Sequence, residues 1–256
     1  MTSLSKLAEI EHYYSTHLTF VLETVASTMH FWGYRITFME GGVIKATKDT
    51  TILSAYSNTD IKLEELPADL SEKLNIQINH KPVTIKNYIL KMGLITYFSL
   101  FEAFNKDYFQ ELYNNMPYLM KSKKNTLNAE DLLEFKTMED LHKHLALKEV
   151  EKFGYLNIDE IADLLDKKFK IDLRKDFKFW LVLRESYYRR NIIVHTDGKV
   201  SKTYLEKCPS ENLKLGQELP CDIEHVWKRH YDLQSYMDFI HNSIEKKFHN
   251  FSSKSS

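Results

Sequence analysis

At 256 residues, with 43% hydrophobic and 28% charged side chains, the chain is long enough to bury a sizeable core and too ordinary in composition for a disordered polymer. Its formal net charge of −1 gives no global positive field, which counts against a protein that coats nucleic acid but not against one that grips a few phosphates locally. Only 7 Gly and 5 Pro favour long helices over a turn-rich β architecture, and with neither a leader nor an apolar run of the roughly 18 residues a membrane span needs, a cytoplasmic protein with no membrane partner is expected.

Residues 4–30 place Leu7, Ile10, Tyr14, Leu18, Val21, Leu22 and Val25 at helical spacing and predict an amphipathic helix. Between Tyr34 and Tyr56, β-branched residues flank the Gly41-Gly42 pair and predict a small hairpin. A connection with a short helix near Ala68 to Leu74 follows. From Val83 to Met116 the pattern is helical again, with Leu94, Tyr97, Phe98, Phe101, Phe104, Tyr108 and Leu112 on one face until Pro117 stops it. Glu102 lies one position off that face, with Ser99 and Asn105 three residues to either side, and so borders the core without joining it.

Three helix starts carry a polar cap with an acidic residue in the first turn: Asn128, Thr137 with Asp140, and Asn157 with Glu160. Phe177 to Val194 predicts a helix whose inner side holds Phe177, Trp180, Leu181, Tyr187, Tyr188 and Ile192, and Thr196-Asp197-Gly198 ends it. Asp222 to about Lys247 forms the last long helix. The organisation expected is a first segment, 1–82, a helical domain, 83–250, and a disordered tail, 251–256. The fold class is mainly α, and the 13% of aromatic residues are expected to fill a core and a dimer seam.

Chemistry concentrates in RNIIVH, where Arg190 is followed by Asn191 and, five positions on, by His195. A guanidinium fits phosphate oxygens and keeps its charge, while an imidazole takes and gives a proton near pH 7. On a regular helix positions five apart diverge by about 140°, so the two face one substrate only if the helix ends between them, and the turn at Thr196 to Gly198 is read as such an ending. Asn191 and His195 are four apart, so the amide can orient the imidazole or reach a phosphate. Around the motif gather Arg184, Arg189, Lys199, Lys202 and Lys207, with a second cluster at Lys121, Lys123 and Lys124. Tyr187 and Tyr188 can stack on bases, although core packing is the plainer use of both.

No metal and no cofactor are expected. Cys208 and Cys221 lack companion ligands, the pairs His142/His144, His225/His230 and His12/His17 diverge on their helices, and HExxH, paired CxxC, a Gly-rich phosphate loop and GxSxG are missing. An Arg followed five residues later by His arises by chance in about a quarter of chains of this composition, and an Asn after the Arg lowers that to about 2%. RRNIIVHTDGKV thereby resembles the R-x4-6-H motif of the HEPN family, often seen as RNxxxH. From Ile85 to Asn250 the order of LFEAF, AEDLLEF, MEDLHKH, IDEIADLLDKKF, the motif helix and a closing helix is similar to prokaryotic solo HEPN proteins.

The resemblance implies an α-helical bundle that forms a homodimer and acts as a metal-independent endoribonuclease, of toxin or antiviral defence type, with a cognate antitoxin or defence-system partner. It implies Arg190 and His195 as catalytic residues with Glu102 directing one of them; Asn191 joins them by its spacing to His195, and Arg184, Arg189, Lys199 and Lys202, gathered around the motif, are the expected contacts to the RNA substrate. The alternative from another class is a non-catalytic HEPN-like dimer that binds RNA, a nucleotide or a protein partner.

Overall fold

The computed structural model describes residues 3–31, 34–38, 44–48, 82–121, 132, 134–210 and 212–252. The chain is mainly helical: α1 (Ser3–Phe31), α2 (Pro82–Asn115), α3 (Met138–Glu151), α4 (Ile158–Phe169), α5 (Leu173–Asp176), α6 (Trp180–Thr196), α7 (Lys202–Lys207) and α8 (Ile223–Ser252). Short 3-10 turns follow α2 at Pro117–Met120 and α3 at Lys152–Tyr155. The predicted hairpin is present as β1 (Tyr34–Phe38) and β2 (Ile44–Lys48), antiparallel, with Tyr34 opposite Lys48 and Phe38 opposite Ile44. Its expected continuation to Tyr56, the short helix near 68–74, the start at Asn128 and the lysines at 123 and 124 lie outside the described residues.

Two compact units interleave along the sequence, one made of residues 1–18, 98–187 and 232–256 and the other of residues 19–97 and 188–231. In the first, the aromatic stripe of α2 is wholly buried: Phe98, Phe101, Phe104, Tyr108, Phe109, Leu112 and Tyr113 have no exposed surface. Phe101 meets Tyr236 of α8 at a ring separation of 4.9 Å, and Phe109 stacks on Phe153 at 5.1 Å, so sequence periodicity becomes a seam of interlocked rings. The one amide inside it, Asn105, accepts from the Tyr236 hydroxyl at 2.6 Å and donates to the Phe101 carbonyl at 2.8 Å. Most buried polar groups are bonded in this way.

The caps read from sequence at Asn157 and Thr137 form as expected. Asn157 Oδ1 accepts from the Asp159 and Glu160 amides at 3.0 and 3.1 Å while Glu160 returns to the Asn157 amide at 2.8 Å, a capping box that starts α4. Thr137 Oγ1 accepts from the Asp140 amide at 3.1 Å and starts α3. Asp222 accepts from the His225 amide at 2.7 Å in the first turn of α8. The buried carboxylate of Glu149 is held between Lys152 and Lys168. Where α1 and α8 meet, Gln234 donates to Ser15 at 3.1 Å, and Glu11 faces Asp238 with its carboxyl raised to about 7, first by burial and then by the charge and hydrogen bond of Asp238.

In the second unit Leu22, Val25 and Met29 of α1 are buried with Leu90, Leu94 and Tyr97 of α2. Gly93 sets the close approach: a Cβ there would stand 2.8 Å from Val25 Cγ2. One periodicity-based assignment is corrected. Leu181 is 75% exposed and Leu183 is fully buried instead. Leu181 shares a stripe with Tyr188, seven residues on, but only the Tyr188 end of the stripe is covered, and spacing cannot say where cover stops.

Two predictions follow from these burials. The Tyr97 hydroxyl is fully buried with no hydrogen-bond partner among the described residues, so Tyr97→Phe should hold or raise the melting temperature, whereas Tyr236→Phe strands Asn105 and should cost about 1–3 kcal/mol in urea unfolding. Because Glu11 binds its proton more tightly folded than unfolded, its contribution to stability is lost as pH rises from the ordinary carboxylate range through about 7. Glu11→Gln should therefore raise the melting temperature at pH 8 and change it little at pH 5.

Candidate functional site

α6 carries the motif, and its last turn decides the geometry. Asp197 at φ 53° and Gly198 at φ 86° are left-handed, so the chain leaves the helix there, after His195 rather than before it. The Ile192 carbonyl is met both by Thr196 Oγ1 at 2.9 Å and by the Gly198 amide at 2.9 Å. The helix thus runs unbroken through Thr196, which corrects the expected ending near Val194 and between Arg190 and His195. The two motif residues stay about 140° apart around one axis.

The turn is braced from outside the helix. Lys91 of α2 donates to the carbonyl of Asp197 and to its carboxylate, each at 3.0 Å, and to Glu218 at 3.3 Å. Burial lowers the Lys91 pKa, but those bonds outweigh it and hold the ammonium above the ordinary lysine value. A strap of residues 216–219 closes over the exit: Leu219 N–H donates to the Gly198 carbonyl at 3.0 Å, and Val200 exchanges bonds with Gln217 and Gly216 at 2.9 Å each. This fixes Ser201, whose Oγ accepts from the Tyr204 amide at 3.1 Å and caps α7.

Between the end of α6 and the start of α7 lies a pocket of about 320 Å³, near the lower limit for small-molecule sites. α6 contributes Tyr188, Asn191, Ile192, His195 and Thr196, and the opposite wall is Ser201, Thr203 and Tyr204. Tyr188, Asn191 or Ile192, and His195 are three to four residues apart and share one helix face. The buried Tyr188, Ile192 and Tyr204 make an apolar floor, and the partly or fully exposed Asn191, His195, Ser201 and Thr203 make a polar rim.

The structure therefore brings Asn191 and His195 together in one cavity. Arg190 does not line it; its Nη1 donates to Asn191 Oδ1 at 3.0 Å, so the guanidinium reaches the pocket through the amide. Glu102 is half-buried on α2 and belongs to the first unit, whereas Arg190, Asn191 and His195 belong to the second. Arg184, also in the first unit, grips Asp159 with two nitrogens, Nη2 at 2.9 Å. Arg189 donates to the Pro220 carbonyl at 2.7 Å and ties the strap segment to α6. Lys199 and Lys202 stand exposed beside the pocket's second wall, Lys199 bridging to Glu218 through the backbone.

His225, in the first turn of α8, is lowered to about 3 by burial and then by the charges of Arg189, Arg229 and Lys228. It is neutral across the physiological range and is not among the residues that line the pocket. Among the described residues no three His, Cys, Asp or Glu side chains gather as a metal site requires, and no helix is long and apolar enough to cross a membrane. Ser201, Thr203 and Lys91 were not singled out by spacing as pocket or bracing residues: Ser201 before KTYLEK is legible as a helix cap, but nothing local says that it faces His195.

The Arg184–Asp159 pair gives a separable test. Arg184→Gln and Asp159→Asn should each lower stability, and the double variant should lose little more than either single one in urea unfolding, with coupling on the order of 1 kcal/mol.

No protein-family model matches the chain, and comparison with curated proteins and with solved structures finds no match.

Proposed function

We propose that the chain is an endoribonuclease that cleaves RNA by attack of the 2′-hydroxyl on the adjacent phosphorus. The observation that carries this reading is a nucleotide-sized pocket whose rim holds the proton carrier His195 beside Asn191, with the permanent cation Arg190 bonded to that amide. In this reaction the 2′-oxygen forms a bond to phosphorus, the bond to the 5′-oxygen breaks, and a 2′,3′-cyclic phosphate remains. His195 moves the proton between the two oxygens, and Arg190 stabilises the charge on the phosphorane. The attacking group belongs to the substrate, so no water has to be activated and metal independence is the expectation.

The helix geometry adds a requirement. One chain turns Arg190 about 140° from His195, so a single copy does not set both groups on one phosphate, and the reading takes a symmetric dimer in which the Arg190 of one protomer serves the His195 of its partner. A role as a cytoplasmic toxin or antiviral effector, restrained by an antitoxin or defence partner, rests on the HEPN resemblance of the sequence. The same separation favours the second reading, a non-catalytic module that binds RNA or a nucleotide in the pocket.

With EDTA present, wild-type protein should cut single-stranded RNA and leave matching DNA intact, and His195→Ala should lose on the order of 10²-fold or more in rate with its melting temperature little changed. Arg190→Ala should fail as well. An equimolar mixture of the two inactive variants should recover about a quarter of wild-type activity, because half the random dimers carry one intact composite site. Wild-type rates in both variants, or activity only with added metal, would overturn this mechanism, and binding of RNA without cleavage would leave the binding module standing.

A further inference from the structure

The rim of the pocket has a one-sided hydrogen-bonding character. A guanidinium only donates, so the Asn191 atom that faces Arg190 Nη1 at 3.0 Å is the carbonyl oxygen, and the amide is locked with its NH2 as the free end. Across the pocket, the Ser201 oxygen accepts from the Tyr204 amide at 3.1 Å, and its hydroxyl proton is left to donate. Thr203 adds a second exposed hydroxyl, and no carboxylate lines the cavity. The floor of Tyr188, Ile192 and Tyr204 is apolar and mostly aromatic, which suits a ring rather than a phosphate.

We propose that this pocket is a nucleobase subsite that selects keto bases, uracil or guanine, over the amino bases cytosine and adenine. The base lies on the apolar floor and turns a carbonyl oxygen toward the Asn191 NH2 and the Ser201 hydroxyl. Cytosine and adenine put an exocyclic amino group at the corresponding position, so donor meets donor and one group on each side loses its partner. Arg190 is a specificity-determining residue here because it sets which end of Asn191 the base meets. The proposal rests on the RNA reading of the site, but its test uses nucleotides with no scissile bond, so failure of cleavage and failure of base selection are distinguishable.

Calorimetric titration of the full chain with UMP, GMP, CMP and AMP provides that test. UMP and GMP should bind about tenfold more tightly than CMP and AMP. Asn191→Asp replaces the donor by an acceptor and should bring CMP to at least the affinity of UMP. Arg190→Met frees the amide to flip and should collapse the UMP-to-CMP ratio toward one while UMP still binds, a change that a purely structural role of Arg190 would not produce. Equal affinity of the wild type for UMP and CMP, a ratio unmoved in Asn191→Asp, or no binding of any of the four at millimolar concentration would overturn the proposal.

Discussion

The turn angle of an α-helix is the constraint on which this site depends. At about 100° per residue, α6 places Tyr188, Asn191, Ile192 and His195 on one face and starts the Arg190 side chain from another. What reconnects the cation to the cavity is one hydrogen bond, from Arg190 to the neighbouring Asn191. The amide acts as an extension of the guanidinium: it carries the orientation of a fixed charge into a pocket that the charge does not enter. Adjacent residues of one helix thus contribute to the site by different routes, Asn191 by lining the cavity and Arg190 by bonding to that amide.

The second wall of the cavity is built downstream of the helix and braced from α2. Left-handed backbone at Asp197 and Gly198 turns the chain back, Lys91 satisfies the carbonyl and carboxylate of that turn, and the 216–219 strap seals it by main-chain bonds. Only then does Ser201 cap a helix whose first turn faces His195. A Cβ at Gly198 would meet the Lys91 side chain at an ordinary 3.4 Å, so the glycine is a requirement of conformation, on a backbone that L residues rarely adopt.

Environment also sorts residues that composition treats alike. His195 is exposed at the rim, while His225 is buried among cations and kept neutral. Arg190 contacts an amide, Arg189 a carbonyl and Arg184 a carboxylate, so three arginines of one helix do three different jobs. Glu149 is held by two lysines, whereas Glu11 is pressed against another carboxylate and takes up a proton well above the usual range.

Much was legible in the chain itself. The helical faces of α1 and α2, the capping box at Asn157, the cap at Thr137, the stop at Pro117 and the pairing of β1 with β2 all follow from short-range sequence pattern or from side chains that bond their own backbone a few residues away. These are local interactions, and local sequence contains both partners. Three matters needed tertiary structure: that α6 outlasts His195, that Leu181 is bare while Leu183 is covered, and that Arg184 is held by Asp159. So did the pocket, whose second wall meets the first only because Lys91, some 106 residues away in sequence, fixes the turn between them. The sequence determined which groups the chain possesses and which helix face each occupies, because helical rise and turn are properties of a short segment; which of those faces is covered, and by what, belongs to contacts between distant segments and was decided only by the fold.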